Sequence, residues 1–90
     1  MTETREHRIK RLAMRSMRRG IKEMDIILSS FADRQLAQMT DADLELYDAL
    51  LSENDHDLYQ WVTAQVPTPD RYLDLITRVA SGAEGLVRPA

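Results

Sequence analysis

Two helical patterns in this chain meet at one stretch of sequence, Arg18-Arg19-Gly20-Ile21-Lys22-Glu23-Met24-Asp25. If the backbone continued helically through it, Arg19 and Glu23 would lie four residues apart on neighbouring turns and could pair. Gly20 has no Cβ, so it either permits the close approach of another part of the chain or takes positive φ where a helix ends. We therefore predict a corner between two helices at Gly20, with the charged pair beside a notch.

The pair of Arg19 and Glu23 admits two interpretations. A solvent-exposed Arg/Glu pair at this spacing is common and contributes roughly 0.2–0.5 kcal/mol, and here Arg precedes Glu, which is the weaker order. Taken alone, the pattern favours such an ordinary helix contact, with a recognition surface as the alternative.

Five stretches of the chain place apolar residues at helical spacing, and no stretch alternates as a strand would. Caps and helix breakers separate them, at Thr4, Gly20, Thr40, Asn54 or Asp55, Pro67, Thr68 with Pro69, and Gly82. We predict an all-α fold, a compact five-helix bundle of short helices that cross at substantial angles around one core. We expect a single helical domain over residues 1–80 and a flexible C-terminal tail over residues 81–90. The predicted core comprises Leu12, Ile27, Leu28, Leu44, Leu50, Leu51, Leu58, Trp61, Leu73 and Ile76.

Length and composition limit the class of protein. With 90 residues, of which 43% are apolar and 30% charged, the chain has room for one soluble domain and one modest core. It contains no Cys, which excludes disulfides and thiolate metal sites and is compatible with a reducing compartment. Neither a membrane span nor the apolar region of a secretory signal occurs, so we expect a cytoplasmic protein without membrane insertion.

Charge is distributed unevenly along the chain. Residues 1–22 contain eight Lys or Arg and two Glu, whereas the rest contain four basic and thirteen acidic residues. Five of the basic residues recur every three or four positions and form a predicted basic stripe: Arg8, Arg11, Arg15, Arg18 and Lys22. Such a stripe indicates a partner that is recognised by charge, either nucleic acid, a membrane or a protein. A small nucleic-acid-binding module is therefore the alternative function, although the acidic body and the lack of interleaved aromatic residues weigh against it.

No catalytic or metal-binding pattern is present in the sequence. The two histidines, His7 and His56, have no partner at metal-ligand spacing, and no serine lies in a nucleophile elbow. Glycine-rich phosphate loops are also absent. We expect no catalytic residues, no metal and no stably bound cofactor.

The motif Arg19-Gly20-x-x-Glu23-x-Asp25, followed by a short helical domain, resembles the succinate dehydrogenase assembly factor 2 family, which is called the flavinator or SdhE family in bacteria. A second family-like block follows at Leu50-Leu51-x-x-x-Asp55-x-Asp57-Leu58-Tyr59-x-Trp61, in which an acidic turn leads into an aromatic-bearing helix. The resemblance covers nearly the whole chain. The sequence departs from the family pattern at His56, where the family often has Pro.

The resemblance implies a five-helix bundle that binds the flavoprotein subunit of succinate dehydrogenase, and in bacteria also that of fumarate reductase. It implies that the bundle promotes covalent attachment of FAD to a histidine of this client protein. The FAD and the nucleophile then belong to the client, and the chain itself is not an enzyme. By position, the implied client-facing residues are Arg18, Arg19, Gly20, Glu23 and Asp25, and the implied scaffold supports are Tyr59 and Trp61. We expect the free chain to be a monomer.

Overall fold

The computed structural model of the protein describes residues 3–83. They form five α-helices: α1 (Arg5–Arg15), α2 (Lys22–Gln35), α3 (Asp41–Leu51), α4 (Asp55–Val62) and α5 (Leu73–Ala83). Two short 3-10 turns, Leu36–Gln38 and Asp70–Tyr72, precede α3 and α5. No strand occurs within this part of the chain, and none of its helices is long and apolar enough to cross a bilayer. The prediction of an all-α bundle of five short helices is confirmed.

Three of the helices begin where the sequence predicts, because a polar side chain caps each of them. The side-chain oxygens of Thr4, Thr40 and Asn54 accept hydrogen bonds from backbone N–H groups two or three residues ahead, at 2.8–3.1 Å. Such caps satisfy donors that a helix N-terminus leaves unpaired. The start of α2 is different, since Ile21 precedes it in an extended conformation and gives no side-chain cap. Its position depends instead on the corner that comes before it.

The core lies around α2, which packs against α1, α4 and α5, while α1 also packs on α3. One face of α2 is buried, and on it Met24, Ile27 and Phe31 recur at spacings of three and four. The Phe31 ring lies against Tyr47 of α3, with the ring centroids 5.4 Å apart. The buried apolar residues are Leu12, Met24, Ile27, Leu28, Phe31, Ala32, Leu36, Met39, Leu44, Tyr47, Leu50, Leu51, Leu58, Tyr72, Leu75, Ile76, Val79 and Ala83. Eight of the ten predicted core residues are among them.

The other two predicted core residues, Leu73 and Trp61, are not fully buried. The sequence predicts a fifth helix from Pro69, but the 3-10 turn comes first and α5 begins only at Leu73. Within α5 the buried face is formed by Leu75, Ile76 and Val79, and Leu73 lies off this face, where it is 48% exposed. Trp61 lies half-buried at the edge of the core, with its ring stacked on Tyr72 at a centroid distance of 5.9 Å.

The C-terminal end of α5 also differs from the prediction. Gly82 does not end the helix, because α5 continues through it to Ala83, which is buried. The Gly82 carbonyl oxygen accepts a hydrogen bond from Arg34 Nη2 at 3.2 Å, and a Cβ on Gly82 would overlap the guanidinium. The helical domain therefore extends past residue 80. The rest of the predicted tail, residues 84–90, lies outside the described residues.

Candidate functional site

The link between α1 and α2 is not helical, because Arg18 has a left-handed backbone with a φ of 55°. Arg19 and Glu23 therefore do not share a helix, and the predicted pair between them is not formed. The corner that the sequence predicts is present. The residue with positive φ in it, however, is Arg18 and not Gly20.

The Arg19 side chain binds three groups, and none of them lies on α2. Its Nε donates to Oδ1 of Asp55, the first residue of α4, at 2.7 Å. Its two terminal nitrogens donate to the backbone carbonyl oxygens of Arg15 and Leu51, each at 3.0 Å. These two residues end α1 and α3, and the last carbonyls of a helix lack partners within it and favour a cation. Arg19 thus ties three helices together, and its side chain is only 11% exposed.

Gly20 contacts the other oxygen of the same carboxylate. The Gly20 N–H donates to Asp55 Oδ2 at 2.7 Å, and a Cβ on Gly20 would lie 3.0 Å from that oxygen, which is closer than is usual for a Cβ. The lack of a side chain is what allows this approach. We call the Asp55 carboxylate and its two donors, the Arg19 guanidinium and the Gly20 N–H, the Asp55 clamp. It holds the corner against the start of α4.

Glu23 lies in the first turn of α2, as predicted, and Asp25 lies there too, where the helix dipole favours negative charge. Both are half-buried. Asp25 Oδ1 accepts a hydrogen bond from Ser29 Oγ at 3.2 Å, and the same hydroxyl lies 3.2 Å from the carbonyl oxygen of Ser16 at the end of α1. The Glu23 side chain makes no hydrogen bond or ion pair with other residues of the described range. Its carboxylate therefore stays available to a donor from outside.

Much of the predicted basic stripe is used inside the protein. Arg11 and Arg15 both bind the Asp48 carboxylate of α3, Arg11 through Nη2 at 3.0 Å. The hydrogen bond from Arg11, more than the weaker effect of Arg15, holds the pKa of Asp48 below its usual value. These two arginines join α1 to α3 rather than forming a free surface. Within residues 3–83, the members of the stripe without a carboxylate partner are Arg18 and Lys22.

A shallow depression with a volume of about 320 Å³ lies over the corner. It is lined by Arg15, Met17, Arg18, Arg19, Gly20 and Asp55. Two of its three arginines, Arg15 and Arg19, already bind carboxylates. The depression therefore presents one cation without a counter-charge, Arg18, and that residue is exposed to solvent.

A buried polar pair fixes the end of α1 against α3. Ser16 is fully buried, and its Oγ donates to the Leu12 carbonyl oxygen at 2.7 Å. The Tyr47 hydroxyl lies 2.6 Å from the same Oγ. Burial raises the pKa of Tyr47 to about 12, although the contact with Ser16 acts in the opposite direction. Both residues look like ordinary members of apolar helix faces in the sequence, which therefore does not reveal this pair.

The two implied scaffold supports, Tyr59 and Trp61, lie on α4 and are half-buried against the core. The Trp61 ring stacks on Tyr72 with 30° between the ring planes. This position agrees with a supporting role, which stays a prediction. In the part of the chain that the structure describes, no group of three or more His, Asp or Glu side chains is arranged to hold a metal ion.

The sequence does not identify Asp55 as the partner of the motif. It indicates only that Asp55 belongs to the acidic turn that starts α4, which is correct for the backbone. Asp41, Asp48 and Asp55 each accept a hydrogen bond from an arginine of α1 or of the corner. Because Asp55 lies on α4 and the other two on α3, their even spacing marks no shared helix face.

The fold and the corner define the class of this protein, a small all-helical domain that presents a charged turn, held by internal hydrogen bonds, between two helices. A family model described as the flavinator of succinate dehydrogenase matches residues 10–81. The match covers most of the chain, including the corner and all of α4. The protein belongs to this flavinator family, as its motif predicts.

Curated relatives carry the name succinate dehydrogenase assembly factor 2, mitochondrial. The relative from Meyerozyma guilliermondii is 45% identical over 75 residues, which are 80% of this chain and 56% of that protein. The relative from Scheffersomyces stipitis is 44% identical over 75 residues, which are 80% of this chain and 50% of that protein. The relative from Mycosarcoma maydis is 41% identical over 71 residues, 79% of this chain and 30% of that protein. The chain thus spans about half or less of the length of these relatives.

These names contradict the predicted cytoplasmic location, because each describes the relative as mitochondrial. The features behind that prediction were the lack of Cys and the lack of an apolar signal. They are equally compatible with a reducing compartment inside an organelle. The cytoplasmic prediction is therefore wrong.

Proposed function

We propose that the protein is an assembly factor that binds the flavoprotein subunit of succinate dehydrogenase and promotes the covalent attachment of FAD to that subunit. The observation that carries this proposal is the family match over residues 10–81, because it includes the whole Asp55 clamp. The clamp supports the proposal physically. A turn that is already held by internal hydrogen bonds does not have to be ordered when a partner binds.

The proposed client-facing surface is centred on the corner and contains Arg18, Arg19, Gly20, Glu23 and Asp25. The internal contacts indicate different roles within this set. Arg19 binds the ends of α1 and α3, Asp25 holds Ser29 within α2, and Gly20 keeps the turn close to α4. Arg18 and Glu23 make no such contacts within residues 3–83, so we infer that their side chains meet the client directly.

The chemistry of flavin attachment is assigned to the client. The client supplies the histidine nucleophile and holds FAD, so that attachment is autocatalytic, and the assembly factor keeps the client in a productive geometry. The strongest anion-binding groups of the corner, the Arg19 guanidinium and the Gly20 N–H, are bound to Asp55 and are not offered to a pyrophosphate. We propose that the free chain is a monomer without a stably bound cofactor, and that the flavoprotein of fumarate reductase is a second client.

A nucleic-acid function has no comparable support. Arg11 and Arg15 are bound to Asp48, so they cannot neutralise phosphates without breaking the contact between α1 and α3. The net charge of −3 also repels a polyanion at long range. The basic stripe of the sequence is therefore better explained by packing within the bundle.

The test is reconstitution of the purified chain with the apo-flavoprotein subunit of succinate dehydrogenase and FAD, with covalent flavin read from in-gel fluorescence. We expect attachment to be faster with the chain than without it. Glu23→Gln should lose most of that gain while keeping the wild-type Tm, because the half-buried Glu23 side chain makes no hydrogen bond or ion pair within residues 3–83 that the substitution would break. The matched control is Asp33→Asn, which removes an exposed carboxylate from the same helix about 15 Å along its axis. Equal rates with and without the wild-type chain would contradict the proposal.

A further inference from the structure

Arg18 adopts a backbone conformation that its residue type disfavours. Its φ of 55° lies in the left-handed region, which glycine enters freely and which crowds the Cβ of other residues. Among residues 3–83, Ala64 alone shares this property, with a φ of 60°. Strained backbone persists where its surroundings enforce it, and it is concentrated at functional positions.

Ala64 shows that strain alone does not indicate a function. It follows α4, where the Ala64 N–H donates to the Trp61 carbonyl oxygen at 3.2 Å and the Gln65 N–H donates to that of Gln60 at 2.9 Å. These two bonds form the Schellman motif, which ends a helix through one left-handed residue. The conformation of Ala64 therefore belongs to the end of α4, and its methyl group offers no polar contact.

The side chain of Arg18 has what Ala64 lacks, a charge that the fold does not use. It is exposed, and it makes no hydrogen bond or ion pair with any residue that the structure describes. Arg15 and Arg19, which line the same depression, both bind carboxylates. A glycine would give the same turn without strain. The guanidinium is thus the property that an arginine adds at this position.

Two exposed apolar side chains closely precede Arg18 in the chain, and one of them shares its depression. Met17 lines the same depression and is 50% exposed, and Met14, in the last turn of α1, is 74% exposed. Methionine is flexible and polarisable, so it adapts to an apolar partner surface. A polyanion fits poorly, because Arg15 and Arg19 are already bound to carboxylates and the chain has a net charge of −3. The surface fits a partner that combines a carboxylate with apolar side chains, and such a partner is a protein.

We propose that Arg18 is a specificity-determining residue that binds a carboxylate of the partner protein, with Met17 packed on apolar side chains of the partner beside it. The inference rests on the proposed function, which identifies the partner as the flavoprotein subunit. Arg18 lines the same depression as the three residues of the Asp55 clamp. At position 18 the stability of the fold and the affinity for the partner then favour different residues. Glycine would fit the left-handed backbone without strain, whereas arginine supplies the charge that binds the partner.

Two matched substitutions to glycine separate the two effects. Arg18→Gly and Ala64→Gly each remove a side chain from a left-handed backbone, so we expect neither to lower the Tm of the full chain. Arg18→Gly alone should weaken binding to the flavoprotein subunit, by about tenfold or more, and should reduce the salt dependence of the Kd. Arg18→Lys keeps the charge but loses the bidentate contact of a guanidinium. Its Kd should fall between that of the wild type and that of Arg18→Gly. Calorimetric titration at low and high salt measures these constants.

The possible outcomes are distinct. If the wild-type chain binds and Arg18→Gly binds equally well, the role of Arg18 is wrong and the proposed function stands. If the wild-type chain does not bind the flavoprotein subunit, both are wrong. If Arg18→Gly loses binding to phosphatidylserine vesicles or to single-stranded RNA while its binding to the flavoprotein subunit is unchanged, the cation serves a polyanion and the inference is overturned.

Discussion

Asp55 accepts a 2.7 Å hydrogen bond from the backbone N–H of Gly20, across 35 residues of sequence. The second oxygen of the carboxylate accepts from Arg19, which in turn binds the last carbonyls of α1 and α3. One carboxylate therefore fixes the proposed binding turn to the start of α4. Because the two donors share it, Asp55 and Gly20 should behave as an energetically coupled pair.

Asp55→Asn should destabilise the fold by about 1–3 kcal/mol, because it leaves the largely buried Arg19 guanidinium without a counter-charge. The cost stays below that of a fully buried pair, since the two side chains are 11% and 19% exposed. Thermal unfolding followed by circular dichroism measures it. The matched control is Asp57→Asn, at an exposed carboxylate in the same first turn of α4, where we expect a change within about 0.5 kcal/mol. Equal midpoints for the two variants would mean that the clamp does not stabilise the fold.

Gly20→Ala tests the close approach between Gly20 and Asp55. The new Cβ would lie 3.0 Å from Asp55 Oδ2, so the carboxylate has to shift and the hydrogen bonds of the clamp lengthen. We expect a cost of about 1 kcal/mol in the wild-type background. In an Asp55→Ala background the methyl group meets no carboxylate, so this cost should largely disappear. Urea unfolding of wild type, the two single variants and the double variant completes a double-mutant cycle. Strictly additive changes in the free energy of unfolding would count against the coupling of Gly20 and Asp55.

Most helix starts could be predicted from the sequence, because the interactions that define them are local. Thr4, Thr40 and Asn54 each bind an N–H group two or three residues away, so each signal lies within one turn. The start of α5 could not be predicted in this way. Pro69 suits the first turn of a helix and other turns alike, and here it precedes a 3-10 turn. Leu73 faces solvent because the buried face of α5 is formed by Leu75, Ile76 and Val79 and does not include it.

The candidate site could be predicted only in part. Gly20 marks a corner because a glycine between two amphipathic patterns is a local signal. The partner of Arg19 is not local, since Asp55 lies 36 residues away, whereas Glu23 lies at the spacing of a helical pair. The positive φ of Arg18 breaks the helix and decides between the two partners, and no residue preference predicts a left-handed arginine.

Leu51→Ala should cost about 2–5 kcal/mol, because its removal leaves a cavity in a close-packed core. The side chain is only 3% exposed. Leu73→Ala is the same chemical change at a residue that is 48% exposed, and we expect a clearly smaller cost, since less apolar area leaves the interior. Urea unfolding gives both free energies. Similar losses in the two variants would mean that Leu73 packs in solution as a core residue, as the sequence alone predicts.

Tyr47 should make the fold sensitive to alkaline pH. Burial raises its pKa to about 12. In the unfolded chain a tyrosine titrates near a pKa of about 10. A group whose pKa is higher in the folded state contributes its full stability below the unfolded value, and that contribution is lost as the pH rises through the window between the two. At about 1.4 kcal/mol per pKa unit, the loss across this window is about 2–3 kcal/mol.

Tyr47→Phe removes this titration together with the hydrogen bond to Ser16. We expect the variant to be less stable than wild type at neutral pH, because Ser16 loses a buried partner, and to lose less further stability as the solution becomes alkaline. Ser16→Ala is the control, since it keeps the phenol buried and removes a contact that lowers the Tyr47 pKa, so its alkaline loss should persist. Tyr72, whose pKa burial also raises, is present in all three proteins and gives a common background. Urea unfolding over a series of pH values measures the slopes, and the same alkaline slope in wild type and Tyr47→Phe would mean that ionisation of Tyr47 does not oppose the fold.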